Sequence, residues 1–247
     1  MSGPLLSVVI PAYNEAGRLP RTLTRVAEYF RTSGRPYELV VVDDGSSDGT
    51  AERAREAVEA PLTVLRNETN RGKGYSVRRG MLAARGAYRL MTDADLSTPI
   101  EEVERLLEVM REGAGQGADI VIASRAVPGA RIEVHQPWYR ENLGRAFNLM
   151  VRALAVPGIH DTQCGFKLFT AAAADTCFGA ARLDGFSFDV EVLFVARKRG
   201  LRVLELPVTW RNDAATRVGT WRGFLAFLDL VRIRTNDWAG HYRGTRT

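Results

Sequence analysis

Tyr88-Arg89-Leu90-Met91-Thr92-Asp93-Ala94-Asp95 decides the fold of this chain. The stretch from Tyr88 to Thr92 is short and mostly apolar, as a buried strand is, and it stops at two carboxylates two residues apart. Hard oxygen donors at that spacing suit Mg²⁺ or Mn²⁺ held against a ligand diphosphate. Two earlier apolar runs end in the same way, in Pro11-Ala12-Tyr13-Asn14-Glu15 and in Asp43-Asp44-Gly45-Ser46-Ser47-Asp48. Ligands of open α/β sheets bind beyond the carboxyl ends of the strands. Three such ends in one half of a chain predict a nucleotide–metal pocket.

Outward from that stretch, strand and helix signals alternate. Strands are predicted at Leu6–Ile10, Glu38–Val42, Leu62–Arg66, Tyr88–Thr92 and Asp119–Ser124. Between them, Leu19–Phe30 carries an apolar face at helical spacing, and Thr50–Val58, Gly74–Arg85 and Ile100–Arg111 also read as helices. The alternation predicts an α/β fold with a mostly parallel, Rossmann-like sheet flanked by helices. The second half is less regular. It predicts helices at Asn142–Val156 and Ser187–Arg199 and a strand at Arg202–Val208, with Pro207 marking a sheet edge. Thr220–Trp238 reads as a basic amphipathic helix.

Composition narrows the classes. Cys164 and Cys177 lack a CxxC pattern, so free thiols and a reducing compartment are expected. His135, His160 and His241 lack zinc-site spacing. No signal peptide and no apolar run long enough to span a bilayer is visible. The formal charge of +5 is uneven: residues 197–247 hold eleven Arg/Lys against four Asp/Glu. A basic segment interleaved with Trp221, Phe224, Phe227, Trp238 and Tyr242 suits an anionic membrane surface. No helix-turn-helix, zinc finger or aromatic RNA-binding signature accompanies it, which sets nucleic acid aside.

The other motifs are weaker singly. Asp43 and Asp44 at a strand end can accept from a base or a ribose, or can cap the next helix, although Ser46, Ser47 and Asp48 already supply caps. Tyr13 can stack on a base, and Glu15 can reach ribose or diphosphate water. Asn70-Arg71-Gly72-Lys73-Gly74 opens a helix with a glycine-flanked cation, which favours an anion, though it is not a P-loop.

Taken in order, these motifs resemble those of the family-2, GT-A-fold, inverting nucleotide-sugar glycosyltransferases. The segments Ser7–Glu15, Val42–Thr50, Asn70–Gly74 and Asp93–Asp95 are similar to those of the polyprenyl-phosphate glycosyltransferases. Ser124-Arg125, Asp161-Thr162-Gln163-Cys164-Gly165-Phe166-Lys167 and Phe188-Asp189-Val190-Glu191 resemble more narrowly the dolichyl-phosphate β-glucosyltransferases. The resemblance implies a GT-A domain over 1–215, with a nucleotide-sugar half at 1–124 and an acceptor half at 125–215. A basic amphipathic segment follows at 216–247.

By position, the resemblance implies that Pro11, Ala12, Tyr13, Glu15 and Asp44 hold uridine, with Asp43 nearby. Asp93 would contact ribose or metal, with Ala94 beside it at the nucleotide. Asp95 would bind the Mg²⁺ or Mn²⁺ that bridges the diphosphate, and Lys73 would sit by the nucleotide. Arg125 would face the acceptor phosphate. Arg140, with Gly144 and Asn148 after it, matches an arginine of mannosyl relatives. Gln163 and Lys167 would lie near the sugar and phosphates. Asp95, Arg125 and Arg140 would carry the chemistry. Many relatives have membrane anchors that are not seen here, and the QxxRW motif of processive synthases is absent.

These residues imply transfer of a hexose, glucose from UDP-glucose first, to a polyprenyl phosphate at the cytoplasmic face of a membrane, with the protein held peripherally. A phosphate acceptor is largely dianionic near pH 7 and needs no general base. That agrees with the want of a convincing one at the sheet edge. Asp189 and Glu191 are read as structural acids paired with a nearby Arg or Lys. The alternatives are a GDP-mannose donor, a soluble hydroxyl acceptor with Asp189 as base, and a nucleotide-sugar sensor without turnover.

Overall fold

The computed structural model describes residues 5–112, 117–134, 149–151, 155–211 and 222–243, the side chains of 222–227 excepted. Among these residues nine strands are seen: β1 (Leu6–Ala12), β2 (Tyr37–Asp43), β3 (Leu62–Arg66), β4 (Tyr88–Met91), β5 (Ile120–Ser124), β6 (Arg131–Val134), β7 (Lys167–Thr170), β8 (Val203–Pro207) and β9 (Thr209–Arg211). The helices are α1 (Leu19–Ser33), α2 (Thr50–Ala57), α3 (Lys73–Ala83), α4 (Glu102–Glu112), α5 (Ala171–Ala180), α6 (Phe188–Lys198) and α7 (Arg222–Trp238).

Seven strands form one sheet in the order β3-β2-β1-β4-β7-β5-β8, and β6 pairs with β9 beside it. Alternate residues along β1 and β2 feed opposite faces. Val9, Val40 and Val42 face a core shared with α3, α5, α6 and α7. Leu6, Val8, Ile10, Leu39 and Val41 face the core under α1, α2 and α4. Strands buried on both faces read as continuous apolar runs, which is why β1 and β2 were legible. Pro207 closes β8 at the sheet edge, as expected.

All of the sheet is parallel except β7, which runs antiparallel to both β4 and β5. This departs from the sequence reading, which had no strand there, and it places the site. Met91 at the end of β4 pairs with Lys167 at the start of β7, and Ile122 of β5 pairs with the same lysine. The chain before β7 therefore emerges at the edge where β4 and β5 end. One reversed strand carries Asp161–Phe166 to the side of Asp93 and Arg125.

The expected helix at Asn142–Val156 lies mostly outside the described residues. The C-terminal helix is present as α7. Leu230 and Ile233 are buried against the sheet's second layer, while Leu228, Val231 and Trp238 are exposed on the roughly opposite side.

Candidate active site

The side of the site formed by the loops after β1 and β2 is laced together by backbone N–H groups. After β1, the amides of Asn14, Glu15 and Ala16 donate to Ser46 Oγ (2.9 Å), Thr50 Oγ1 (2.9 Å) and Asp48 Oδ2 (3.1 Å). Asn14 takes a left-handed conformation (φ 54°), and its Oδ1 accepts from the Ser47 amide. Pro11–Glu15 and Asp43–Asp48 thus form one surface, with Tyr13 half exposed on it.

Asp43 and Asp44 turn inward. Asp43 Oδ1 accepts from Ser46 N at 3.0 Å. Its Oδ2 is buried without a hydrogen bond, 3.4 Å from Arg66 Nε. Asp44 accepts from Asn67 Nδ2 (2.7 Å), Arg71 N (2.9 Å) and Gly72 N (2.8 Å). Asp44 was expected at the uridine. Its oxygens hold the loop that delivers Lys73. Gly72 permits that loop's path, at φ +102° and so close to the Asp184 carbonyl that an added Cβ would lie 2.4 Å from it.

Lys73 opens α3, and its Nζ lies 2.6 Å from Asp93 Oδ1. Burial alone would lower the ammonium's pKa, but Asp93, then Asp189 and Asp95, outweigh it and the net shift is upward. The second oxygen of Asp93 lies against Gly165, where a Cβ would come within 2.0 Å of it. Asp95 Oδ1 accepts from Ser97 N at 2.9 Å, and the intervening Leu96 is held at φ 46°, a costly conformation for a side chain of that size. Arg18 links the first loop to this one, with Nε 3.2 Å from Glu15 and Nη1 3.9 Å from Asp95. The Ala94 carbonyl accepts from Thr22 Oγ1, fixing the pair of acids to α1.

The other side, around β5 and the chain leading into β7, is built from full charges. Asp161 takes Arg125 in a fork, with Nε at 2.7 Å from Oδ2 and Nη2 at 2.8 Å from Oδ1, and also accepts from the Arg125 amide. Burial would lower the arginine's pKa, yet Asp161 raises it; burial would raise that of Asp161, yet Arg125 holds it below the usual carboxylate range. The guanidinium lies over Trp210 at 5.2 Å, and its Nη1 has no hydrogen bond among the described residues. Gln163 is exposed beside it.

Lys167, expected near sugar and phosphates, is 1% exposed. Its ammonium donates to the Cys164 carbonyl at 2.6 Å and pairs with Asp189. Burial pushes the Asp189 carboxyl up, against the pull of Lys167 and Lys73. Asp189 is therefore a sealed partner of a lysine. Glu191 accepts from the amides of Arg182 (2.9 Å) and Leu183 (2.8 Å) and from the hydroxyl of buried Tyr242. Asp189 has the basic partner expected of it, whereas Glu191 is held by two backbone amides and a tyrosine in place of the expected Arg or Lys. The turn that Glu191 holds leads into Asp184, whose carbonyl accepts from Tyr75 N behind the Lys73 loop.

Asp93, Asp95, Lys73, Arg125 and Gln163 thus meet at one sheet edge. Arg140 lies outside the described residues. Three participants were missed in the sequence: Asp161, Gly165 and Arg18. The first two stand inside a quoted motif and carried no assigned role. Arg18 follows Glu15 by one helical turn, which was the available signal.

Residues 7–177 match the sequence model of glycosyl transferase family 2. The chain is 34% identical over 240 residues to a dolichyl-phosphate beta-glucosyltransferase of Dictyostelium discoideum, covering 93% of this chain and 73% of that one. It is 35% identical over 255 residues to the Homo sapiens protein of the same name, covering 98% and 78%. Among solved structures, the mannosyl-3-phosphoglycerate synthase of Rubrobacter xylanophilus aligns with a TM-score of 0.69 at 20% identity, covering 99% of this chain and 77% of that one. The Mycobacterium tuberculosis glucosyl-3-phosphoglycerate synthase, solved with Mn²⁺, UDP and phosphoglyceric acid, aligns with a TM-score of 0.69 at 18% identity, covering 99% and 81%. At these identities the solved structures speak for a shared fold. The family match and the curated relatives decide the membership: this chain belongs to glycosyl transferase family 2.

Proposed function

We propose that this glycosyltransferase moves glucose from UDP-glucose to a polyprenyl, dolichyl-type phosphate with inversion at the anomeric carbon. The observation that carries the reading is the Arg125–Asp161 fork beside Asp93. A half-buried guanidinium whose Nη1 has no hydrogen bond among the described residues suits a phosphate acceptor, and Asp189, the acid a hydroxyl acceptor would need as base, is closed off by Lys167. Similarity to dolichyl-phosphate beta-glucosyltransferases along nearly the whole chain supports the same acceptor and sugar.

The uridine lies along Pro11–Glu15 with Tyr13 on the base, while Asp43 and Asp44 hold the loops that shape that surface. Asp93 and Asp95 suit a divalent cation. They are hard oxygen donors, and no group of three or more His, Cys, Asp or Glu suited to a metal stands among the described residues, so phosphate oxygens and water would complete the shell. Mg²⁺ or Mn²⁺ held there would neutralise the departing diphosphate. Arg125, held by Asp161, orients the dianionic acceptor oxygen in line with the anomeric carbon, and Gln163 lies within that space. The oxygen needs no proton removed, so positioning supplies much of the rate.

The lipid would be met by α7. No helix among the described residues is long and apolar enough to cross a membrane. Exposed Leu228, Val231 and Trp238, with Arg232 beside them, instead form an interfacial face for a cytoplasmic-side anionic bilayer. Binding to anionic vesicles should weaken with salt without vanishing, because the apolar part is not screened. A folded protein that stays in the supernatant at low salt would remove the membrane role.

The deciding experiment incubates the protein with labelled UDP-glucose or GDP-mannose, polyprenyl phosphate and Mn²⁺ or Mg²⁺, and counts label in the organic phase. Label from UDP-glucose that depends on metal is expected. Label from GDP-mannose alone would reassign the donor, and hydrolysis with no lipid product would sink the transferase reading of the acceptor side.

A further inference from the structure

The contact between Lys73 and Asp93 is unusual for residues meant to serve different ligands. A lysine that is to meet phosphate stands on a carboxylate that is to meet metal, at 2.6 Å. The backbone around Lys73 is fixed. Asp44 takes the amides of Arg71 and Gly72, and the Asp184 carbonyl lies against Gly72. The side chain, about a fifth exposed, hangs by four rotatable carbons from the first turn of α3, where the amide groups also favour an anion. Asp93 cannot retreat, because its other oxygen lies against Gly165.

We propose that Lys73 is a stand-in cation, neutralising Asp93 until a metal–diphosphate complex arrives, then swinging from the carboxylate to the diphosphate. A bare divalent ion would have to displace the ammonium and leave it without an anion of its own, since nearby Asp189 is already paired with Lys167. A nucleoside diphosphate supplies that anion, so ion and nucleotide bind better together than apart. Arg18, 3.9 Å from Asp95, reinforces the same bias on the second acid. The inference rests on the proposed use of Asp93 and Asp95 for a metal-bound nucleotide, and it adds an order of events: the metal enters with the donor and not before it.

The test is Mn²⁺ binding to the full chain, read by the electron paramagnetic resonance signal of free Mn²⁺, with and without UDP. In the wild type, UDP should tighten Mn²⁺ at least about fivefold, and Mn²⁺ should tighten UDP by the same factor. Lys73→Met should bind Mn²⁺ alone more tightly than wild type and lose most of the gain from UDP, while Lys73→Arg stays near wild type. Mn²⁺ that binds Lys73→Met no better than wild type would overturn the stand-in role while leaving the metal reading intact. A wild-type protein that fails to bind Mn²⁺ even with UDP would overturn both. Should Lys73→Met fail to fold by circular dichroism, the wild-type linkage decides, and a Mn²⁺ affinity indifferent to UDP sinks the proposal.

Discussion

The proposed donor and acceptor halves of the site hold their charges by different means. On the donor side, carboxylates are held by backbone amides: Asp43 by Ser46, Asp44 by Arg71 and Gly72, Asp48 by Ala16 and Thr50, and Asp95 by Ser97. On the acceptor side, ionisable groups are held by each other, Arg125 by Asp161 and Lys167 by Asp189. Amide bonds fix a carboxylate without cancelling its charge; Asp93, paired with Lys73, is the exception on this edge. Pairing cancels charge and leaves one selected edge of a guanidinium. The comparison teaches where a mutation will be felt: as lost ligand binding on the donor side, and as lost stability as well on the acceptor side.

The sharpest break of that contrast is Asp95→Ala. It should reduce transfer by about three orders of magnitude or more, since metal stabilisation of the leaving group is worth several kcal/mol, while the melting temperature barely moves. Full turnover of this variant in EDTA would remove the metal role. Asp189→Ala should behave oppositely. It strands a buried ammonium and should cost about 3–5 kcal/mol in urea unfolding, with Lys167→Met/Asp189→Leu recovering most of it. A single variant as stable as wild type but inactive would return Asp189 to the chemistry.

Arg125→Ala should fall between the two. It should cost roughly 2–5 kcal/mol in acceptor kcat/KM with UDP affinity nearly unchanged. Its partner sets a pH limit. Asp161 has a folded-state pKa below its unfolded one, so its contribution is present above the ordinary carboxylate range and is lost as pH falls through the depressed value. Urea titrations of Asp161→Asn against wild type should therefore converge in acid and diverge toward neutral pH. Parallel curves would mean the fork adds nothing to folding.

The smallest effect expected is Gly165→Ala. A methyl 2.0 Å from Asp93 Oδ2 must push that carboxylate aside, and UDP–Mn²⁺ affinity should fall about tenfold, roughly 1.4 kcal/mol, with the fold retained. Calorimetry showing unchanged affinity would detach Gly165 from the donor site.

The donor half was legible because its signals are local. An apolar run buried on both faces and stopped by Asp93 or Asp43 declares both a strand and its carboxyl end. The acceptor half was less so. β7 has four residues and runs directly into α5, whose alanines Ala171–Ala174 have no marked polar face, so neither period stands out. Its antiparallel course is set by pairing with strands far away in sequence. Likewise, Asp161 and Arg125 are 36 positions apart, and the hold of Asp44 on the 67–72 loop shows only once that loop is folded onto it.

Tyr242 adds a matter of timing. Its hydroxyl reaches Glu191 across 51 positions of sequence, and Glu191 holds the turn behind the Lys73 loop. At about 5–20 residues per second, a ribosome needs roughly 3–10 s to travel that distance. Through that interval the nascent sheet carries every donor residue but not the tyrosine that finishes the wall behind them. Nucleotide binding by a nascent chain should mature only once residue 242 has been made.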